Sequence, residues 1–398
     1  MDVNETVRRF TEYFTERGHQ RLRGSPLIPP DGDPVLFTTS GMHPLTPYLL
    51  GRPHPGGRRL TGLQRCLRTT DLDEVGDESH LTVFGMLGSW SLGDYEGPRS
   101  LRWGLELLTG GFGLDQGRLH ATVFGGDERI GRTEPDLQSE RTWSELGLPV
   151  ELTSGDDNWW SNGPTGPCGP DSEIFIWTGD GPPRGTPGTD GRWMELWNHV
   201  TMRYHRGPDG QLEPLPQVSV DTGMGLERLL MVLQQVGCVY DTDVFGPWRE
   251  VLPPLWPPGE RNFRVLSDHL RSSVIVIGDG VMPSNSGRGY VLRRLLRRVL
   301  TILWRDDGPL SRSLRELPDH LVEHSLGMFG QSPGDRDRVR TVLAEEERRF
   351  RGLLGRSRKV LDQLEPGQPL TERDLVYLHQ THGLPPDLVT DLLARPPS

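Results

Sequence analysis

The chain has almost no lysine. Of its 44 lysines and arginines the only lysine is Lys359, in "GRSRKVL". A Walker A loop needs a lysine after its glycines, and Lys359 has no such context. Schiff-base chemistry and lysine-dependent adenylation lose their usual residue too. If this protein uses ATP, arginine must hold the phosphates. Cysteine is scarce as well: Cys66, Cys168 and Cys238 are far apart, with no C-x-x-C spacing. That excludes a disulfide framework and a thiolate zinc site, so no zinc is expected, and a reducing cytoplasm is the expected compartment. No stretch approaches the roughly 20 apolar residues that span a bilayer, so no membrane partner is expected. "MDVNETVRRF" has no apolar core after its charges and does not read as a secretory signal. H-E-x-x-H and G-x-S-x-G are both missing, which removes the zinc-protease and serine-hydrolase readings. His80 and His269, among 12 scattered histidines, read as structural.

What is present describes a globular protein of two or three domains, with 34% hydrophobic and 25% charged residues over 398 positions. The net charge of −11 disfavours broad nucleic-acid binding but is compatible with a local basic face. Residues 2–19 read as a helix with Val7, Phe10, Tyr13 and Phe14 on one face, ended by Gly18. "VLFTTSGM" (35–42) reads as a strand and loop, 60–95 as two strands joined by an acidic loop, and 98–111 as an amphipathic helix. "HATVFGG" (120–126), "EIFIW" (173–177) and "MELWNHVTMRYHR" (194–206) are strand candidates. "NGPTGPCGP" (162–170) reads as irregular because glycine and proline dominate it. "SVDTGMGLERLL" (219–230) reads as a glycine-rich turn into a helix, and the prolines of 248–261 as a linker. Beyond them the chain reads as helical at 263–278, 288–304, 312–327, 334–364 and 371–394. The expected layout is a mixed half, residues 1–247, then an all-helical half, residues 248–398.

Three stretches carry candidate chemistry, each with a plainer alternative. "DDNWWSNGPTGPCGPDSEIF" exposes backbone donors beside Trp159 and Trp160, or is a surface loop. In "QRCLRTTDLDEVGDESHLTVFGML", Arg65 and Arg68 on one strand and Phe84 on the next can hold a phosphate and stack on a base. Alternatively these arginines pair with Asp71, Asp73 and Glu74. In "SNSGRGYVLRRLLRRVLTILW", Arg293, Arg294, Arg297 and Arg298 fill the gaps of an apolar helical stripe. They form either a phosphate-binding face or a face paired with acids such as those at 345–347.

Taken in order, these stretches resemble the catalytic core of the alanyl-tRNA synthetases, which are class II aminoacyl-tRNA synthetases. The likeness is collinear from about residue 6 to 392. "DPVLFTTSGM" resembles motif 1, "QRCLRTTDLDEVGDESHLTVFGMLGSWSLGDY" motif 2 with a short loop, and "VDTGMGLERLLMVLQ" motif 3. "RVLSDHLRSSVIVIGDGVMPSNSGRGYVLRRLLRR" resembles the opening of the family's helical domain. The resemblance implies an α+β fold, with a class II antiparallel sheet flanked by helices and an all-helical domain after it. It also implies activation of alanine or a similarly small amino acid by ATP to the aminoacyl adenylate, with transfer to the acceptor stem of tRNA. Arg68 would hold the α-phosphate, Arg228 the γ-phosphate and one face of the adenine, and Phe84 the other face. Glu173 would be a ligand of Mg2+. Asp221 would take the substrate ammonium with Asn198 nearby, Met42, Trp160 and Val200 would close a small pocket, and Gly223 would leave room in it. Arg293, Arg294, Arg297 and Arg298 would face tRNA.

Departures from the family pattern are specific. Gly85 and Pro164 stand where the family has acids, and Gln380, in "HQTHGLPPDL", stands where it has an aspartate linked to acceptor-stem recognition. The sequence reads as a core without the editing and C-terminal domains. Two alternatives follow. One is a stand-alone activating enzyme that loads a carrier protein or small-molecule acceptor, and the other a non-catalytic regulator that binds ATP, amino acid or RNA.

Overall fold

The computed structural model describes residues 1–30, 33, 35–307, 310, 312–361, 371–382 and 389. Two compact units divide the chain. One comprises Met1–Leu72 and Val83–Gly246, the other Asp73–Thr82 and Pro247–Ser398.

The first unit opens with α1 (Val3–Thr15), whose first turn is capped by Asp2: its carboxylate accepts the Glu5 N–H at 2.8 Å. Phe10 and Phe14, one turn apart, bury against Trp197 with ring centroids at 5.5 and 6.3 Å. The chain continues through β1 (Gln20–Arg21), the single turn α2 (Thr46–Leu49), β2 (Arg59–Leu67), β3 (Val83–Ser91) and α3 (Gly97–Glu106). Then come β4 (Leu119–Phe124), α4 (Leu137–Glu145), β5 (Val150–Thr153), the turn α5 (Gly155–Asn158) and β6 (Trp159–Ser161). β7 (Gly166–Trp177), β8 (Trp193–Arg206), β9 (Leu212–Gly225) and α6 (Leu226–Leu233) complete it.

The strands form one sheet in the order β1-β2-β3-β9-β8-β7-β4-β5, with β6 paired to β7. All pairs are antiparallel except β1–β2 and β4–β5. This is the expected α+β sheet with flanking helices. Register sets the site. Trp90, Asp221, Val200 and Asp171 lie opposite one another in a row across four strands. Two residues along lies a second row of Gly88, Gly223, Asn198 and Glu173. With a side-chain period of two, both rows share one face. The opposite face, with Trp197 and His199, packs under helices: the His199 ring bonds Ser100 Oγ at 2.9 Å.

Several elements differ from the sequence reading. Residues 35–42 form no strand; Thr38 exchanges single bonds with Leu27 and Leu67 instead. "GPCGP" is the start of β7, not irregular chain. A shift in register between Cys168 and Asp171 absorbs its glycine and proline. A Cβ on Gly169 would stand 2.0 Å from the Thr201 carbonyl oxygen, so glycine is required by close strand approach. "SVDTGMG" is likewise strand to Gly225 and enters α6 without a turn.

The second unit is helical: α7 (Gly246–Leu255), α8 (Glu260–Gly278), α9 (Gly287–Asp307), α10 (Asp319–Gly327), α11 (Arg336–Leu361) and α12 (Glu372–His382). Of the proline-rich stretch expected as a linker, the part up to Leu255 belongs to α7, with Pro253 and Pro254 in its last turn, and 256–259 connects α7 to α8. The acidic segment 73–82 belongs here. Its Val75 and Leu81 are buried, and the Thr82 N–H and hydroxyl both donate to Asp268 of α8, the N–H at 2.9 Å. Among the described residues no helix is long and apolar enough to cross a membrane.

Candidate active site

Asp221, with Asp171, is one of two buried aspartates in the same row of the sheet face. Its Oδ1 accepts the Trp90 indole N–H at 2.6 Å across the β3–β9 pair. Burial pushes its carboxyl up to about 7, against the opposing pull of that indole. A buried carboxylate with one indole partner can receive a cation. The setting is apolar because Met42, Leu45, Leu49, Leu60, Trp90, Leu92, Val200 and Met202 form one buried cluster, with Trp160 packed against it. Met42, Val200 and Trp160 thus come together.

Gly223 packs against the Met86 side chain. A Cβ there would lie 2.8 Å from Met86 Sδ, so the room it leaves is filled by that thioether. Met86 Sδ in turn accepts the Gly41 N–H at 3.1 Å. Gly41 and Gly88 make way for the Trp90 ring, which would meet a Cβ at 2.7 and 2.2 Å respectively. The glycines therefore make room for the side chains of Trp90 and Met86.

An acidic group occupies the second row. Asn198 Nδ2 donates to Asp171 Oδ2 and to Glu173 Oε1, both at 3.1 Å. Asp171 Oδ1 accepts from Asn158 Nδ2 at 2.9 Å. Burial raises Glu173 well above the usual carboxylate range, and Glu195 and Asp171 add to the rise. Asp171 is pushed up to about 7, chiefly by burial. Among the described residues no three ligand side chains form a metal cage. Magnesium needs none, since it binds through one or two carboxylates together with phosphate oxygens and water. Glu173 fits such a partner: it is a hard oxygen donor beside like charges that a divalent cation would offset.

The arginines are placed by specific partners. Arg228, in the first turn of α6, donates through Nη1 to the Glu195 carboxylate at 3.0 Å and to the Glu195 carbonyl at 3.1 Å. The Arg68 guanidinium lies 5.3 Å from the Phe84 ring centroid, and its Nε faces the Thr39 carbonyl at 3.4 Å. Where β9 gives way to α6, Gly85 of β3 runs past the end of its neighbour. The buried Glu227 carboxylate accepts its N–H at 2.9 Å.

In the helical unit the four candidate arginines divide. Arg293 and Arg297 point to Glu346 of α11, at 3.1 and 3.5 Å, and Glu346 is 1% exposed. Arg294 pairs with Asp73 at 2.9 Å. Burial lowers Arg298 from its ordinary value, with Asp73 and Asp268 opposing the shift. His269 Nδ1 meets Asp268 at 2.8 Å within the buried core, in keeping with a structural histidine. The Gln380 side chain and the rest of the "HQTHGLPPDL" stretch beyond residue 382 lie outside the described residues.

The sequence reading missed Trp90, Asn158, Asp171 and Glu195. Each acts through a partner on another strand or element, up to 131 positions away for Trp90 and Asp221. Sheet register would have found them; local motif spacing does not.

Comparison with known proteins gives the family. Residues 5–396 match the family of tRNA synthetases class II (A). A protein named alanine–tRNA ligase from Treponema pallidum is 40% identical over 97% of this chain and 67% of its own length. That of Rubrobacter xylanophilus is 39% identical, over 99% of this chain and 47% of its own. The Schizosaccharomyces pombe protein of the same name is 36% identical, over 99% and 44%. The chain thus spans from under half to about two thirds of the length of these relatives. Apo histidyl-tRNA synthetase of S. aureus matches with a TM-score of 0.35 and 14% identity, over 60% of this chain and 69% of that one, too slight a likeness to weigh. Match length and identity together assign the family: the chain is a member of the class II (A) tRNA synthetases.

Proposed function

We propose that this chain activates alanine, or an amino acid of similar size, with ATP and passes it to tRNA in the cytoplasm. The observation that carries the reading is Asp221, a buried carboxylate with one indole partner at the edge of a small apolar cluster. It would take the substrate ammonium while Met42, Val200 and Trp160 enclose a methyl-sized side chain. The relatives' name, alanine–tRNA ligase, supports the same substrate.

The substrate carboxylate oxygen attacks the α-phosphorus of ATP, the bond to the bridging oxygen breaks, and pyrophosphate leaves with the electron pair. The residues' work is positioning and charge stabilisation. Arg68 holds the α-phosphate and spreads its developing charge. Phe84 stacks on the adenine, and Arg228, oriented by Glu195, reaches the far phosphate. Magnesium, held by Glu173, would neutralise phosphate charge when bound. No lysine is required, in keeping with the composition. The comparisons lend no support to a carrier-protein acceptor.

Amino-acid-dependent exchange of pyrophosphate into ATP tests the reading, with alanine, glycine and serine in parallel. Exchange is expected with alanine, and weaker exchange with the other two, since a methyl or hydroxyl is worth about 1–3 kcal/mol in such a pocket. Arg68→Ala and Arg228→Ala should each abolish it in folded protein. No exchange with any amino acid sinks the proposal. Charging of total tRNA in the same reaction decides the acceptor.

A further inference from the structure

Asp171 is buried on β7, in the same row of the sheet as Asp221 and separated from it by Val200. Both its oxygens are taken, Oδ1 by the Asn158 amide and Oδ2 by the Asn198 amide. The second Asn198 N–H goes to Glu173. When both acids are ionised they accept only, which leaves the asparagine a single orientation, with its NH2 toward the acids and its Oδ1 away from them. That Oδ1 is buried and has no hydrogen-bond partner. Asn198 lies opposite Gly223, on the face that carries Asp221. At the other oxygen, Asn158 is fully buried and also accepts from the Thr153 hydroxyl. It immediately precedes β6, the strand that carries Trp160.

We propose that Asp171 is a positioning residue of the amino-acid site. By accepting from both asparagines it turns Asn198 Oδ1 into a fixed acceptor for the substrate ammonium, and it anchors the strand that bears Trp160. This rests on the reading that the site takes a small amino acid. An amide at position 171 can donate to Asn198 Oδ1 and reverse that side chain, which would then present N–H groups to a cation.

The reversal gives the test. Asp171→Asn should raise the KM for alanine in pyrophosphate exchange about tenfold or more, the scale of one lost charge-assisted hydrogen bond. The KM for ATP should stay within about twofold, because the arginine contacts are untouched. The double variant Asn158→Asp with Asp171→Asn exchanges donor and acceptor. The new amide donates to the new carboxylate, its oxygen accepts from Asn198 again, and the alanine KM should recover most of the loss. An unchanged alanine KM in the single variant overturns the proposal. So does a double variant no better than the single, or a parallel rise in the KM of alanine and ATP, which marks general damage. A wild-type chain that exchanges with no amino acid overturns the functional reading and this inference with it. The other failures leave that reading standing.

Discussion

Asp221 has one favourable partner, the Trp90 indole, against a larger cost of burial, and pH reports the balance. In the unfolded chain it titrates near its ordinary 3.8, and in the fold near 7. Below 3.8 both states are protonated, and the favour shown to the neutral acid is fully present. As pH rises, the unfolded chain ionises first, so this contribution is lost on passing through about 7. Asp171 adds a change of the same sign over the same window. An ammonium needs the carboxylate form, so alanine affinity should run the opposite way. The KM for alanine should rise about tenfold per pH unit below 7 and stay level above it. Asp221→Asn should raise KM throughout and flatten that profile; a profile unchanged by the substitution assigns the titration elsewhere. At this scale the sequence was partly legible. Asp221, Arg68 and Met42 stand in stretches that resemble family motifs. Trp90 and Asp171 are not, because their roles depend on which strands lie side by side.

Elements explain why glycine misleads here. In β7 and β9 the glycines are not turn residues: Gly169 sits where a neighbouring backbone leaves no room for a Cβ, and Gly223 lies against the Met86 thioether. Periodicity and turn propensity see only composition, and both favour loops for such stretches. In the second unit α8, α9 and α11 were legible, since their apolar period is strong, whereas prolines hid α7, and of the helix expected at 312–327 only Asp319–Gly327 is α-helix. Gly85 belongs to the same set. Its Cβ would meet Leu226 at 3.0 Å and Leu63 at 3.1 Å, and its N–H ends on Glu227. The departure from the family's acid at this position is thus built into the packing of α6 on β3. Glu227→Ala should destabilise the protein by about 1–3 kcal/mol, the cost of a buried N–H left without an acceptor. Glu227→Gln keeps an acceptor and should lose less. Denaturant midpoints check both, and equal losses would mean that Glu227 acts by charge and not by capping Gly85.

On the scale of the whole molecule, a net charge of −11 means that any polyanion must be met by a local group of arginines. The helix that the sequence offers for this, α9, gives fewer than its pattern suggests. Arg293 and Arg297 serve the buried Glu346, an internal ion pair that a phosphate does not easily dislodge. Arg294 differs: its side chain is 48% exposed and its partner Asp73 81% exposed. A pair so open to solvent is worth at most about 1 kcal/mol and yields to a competing phosphate. If tRNA lies along α9, Arg294→Ala should weaken its binding. The slope of log affinity against log salt should fall by about 1, with alanine exchange unaffected. Arg297→Ala should lower the thermal midpoint and leave the slope alone, because it disturbs the core around Glu346. Filter binding across a salt series reads both. An Arg294→Ala variant with the wild-type slope places the acceptor's phosphates on another surface, and the arginine pattern of α9 then serves folding alone.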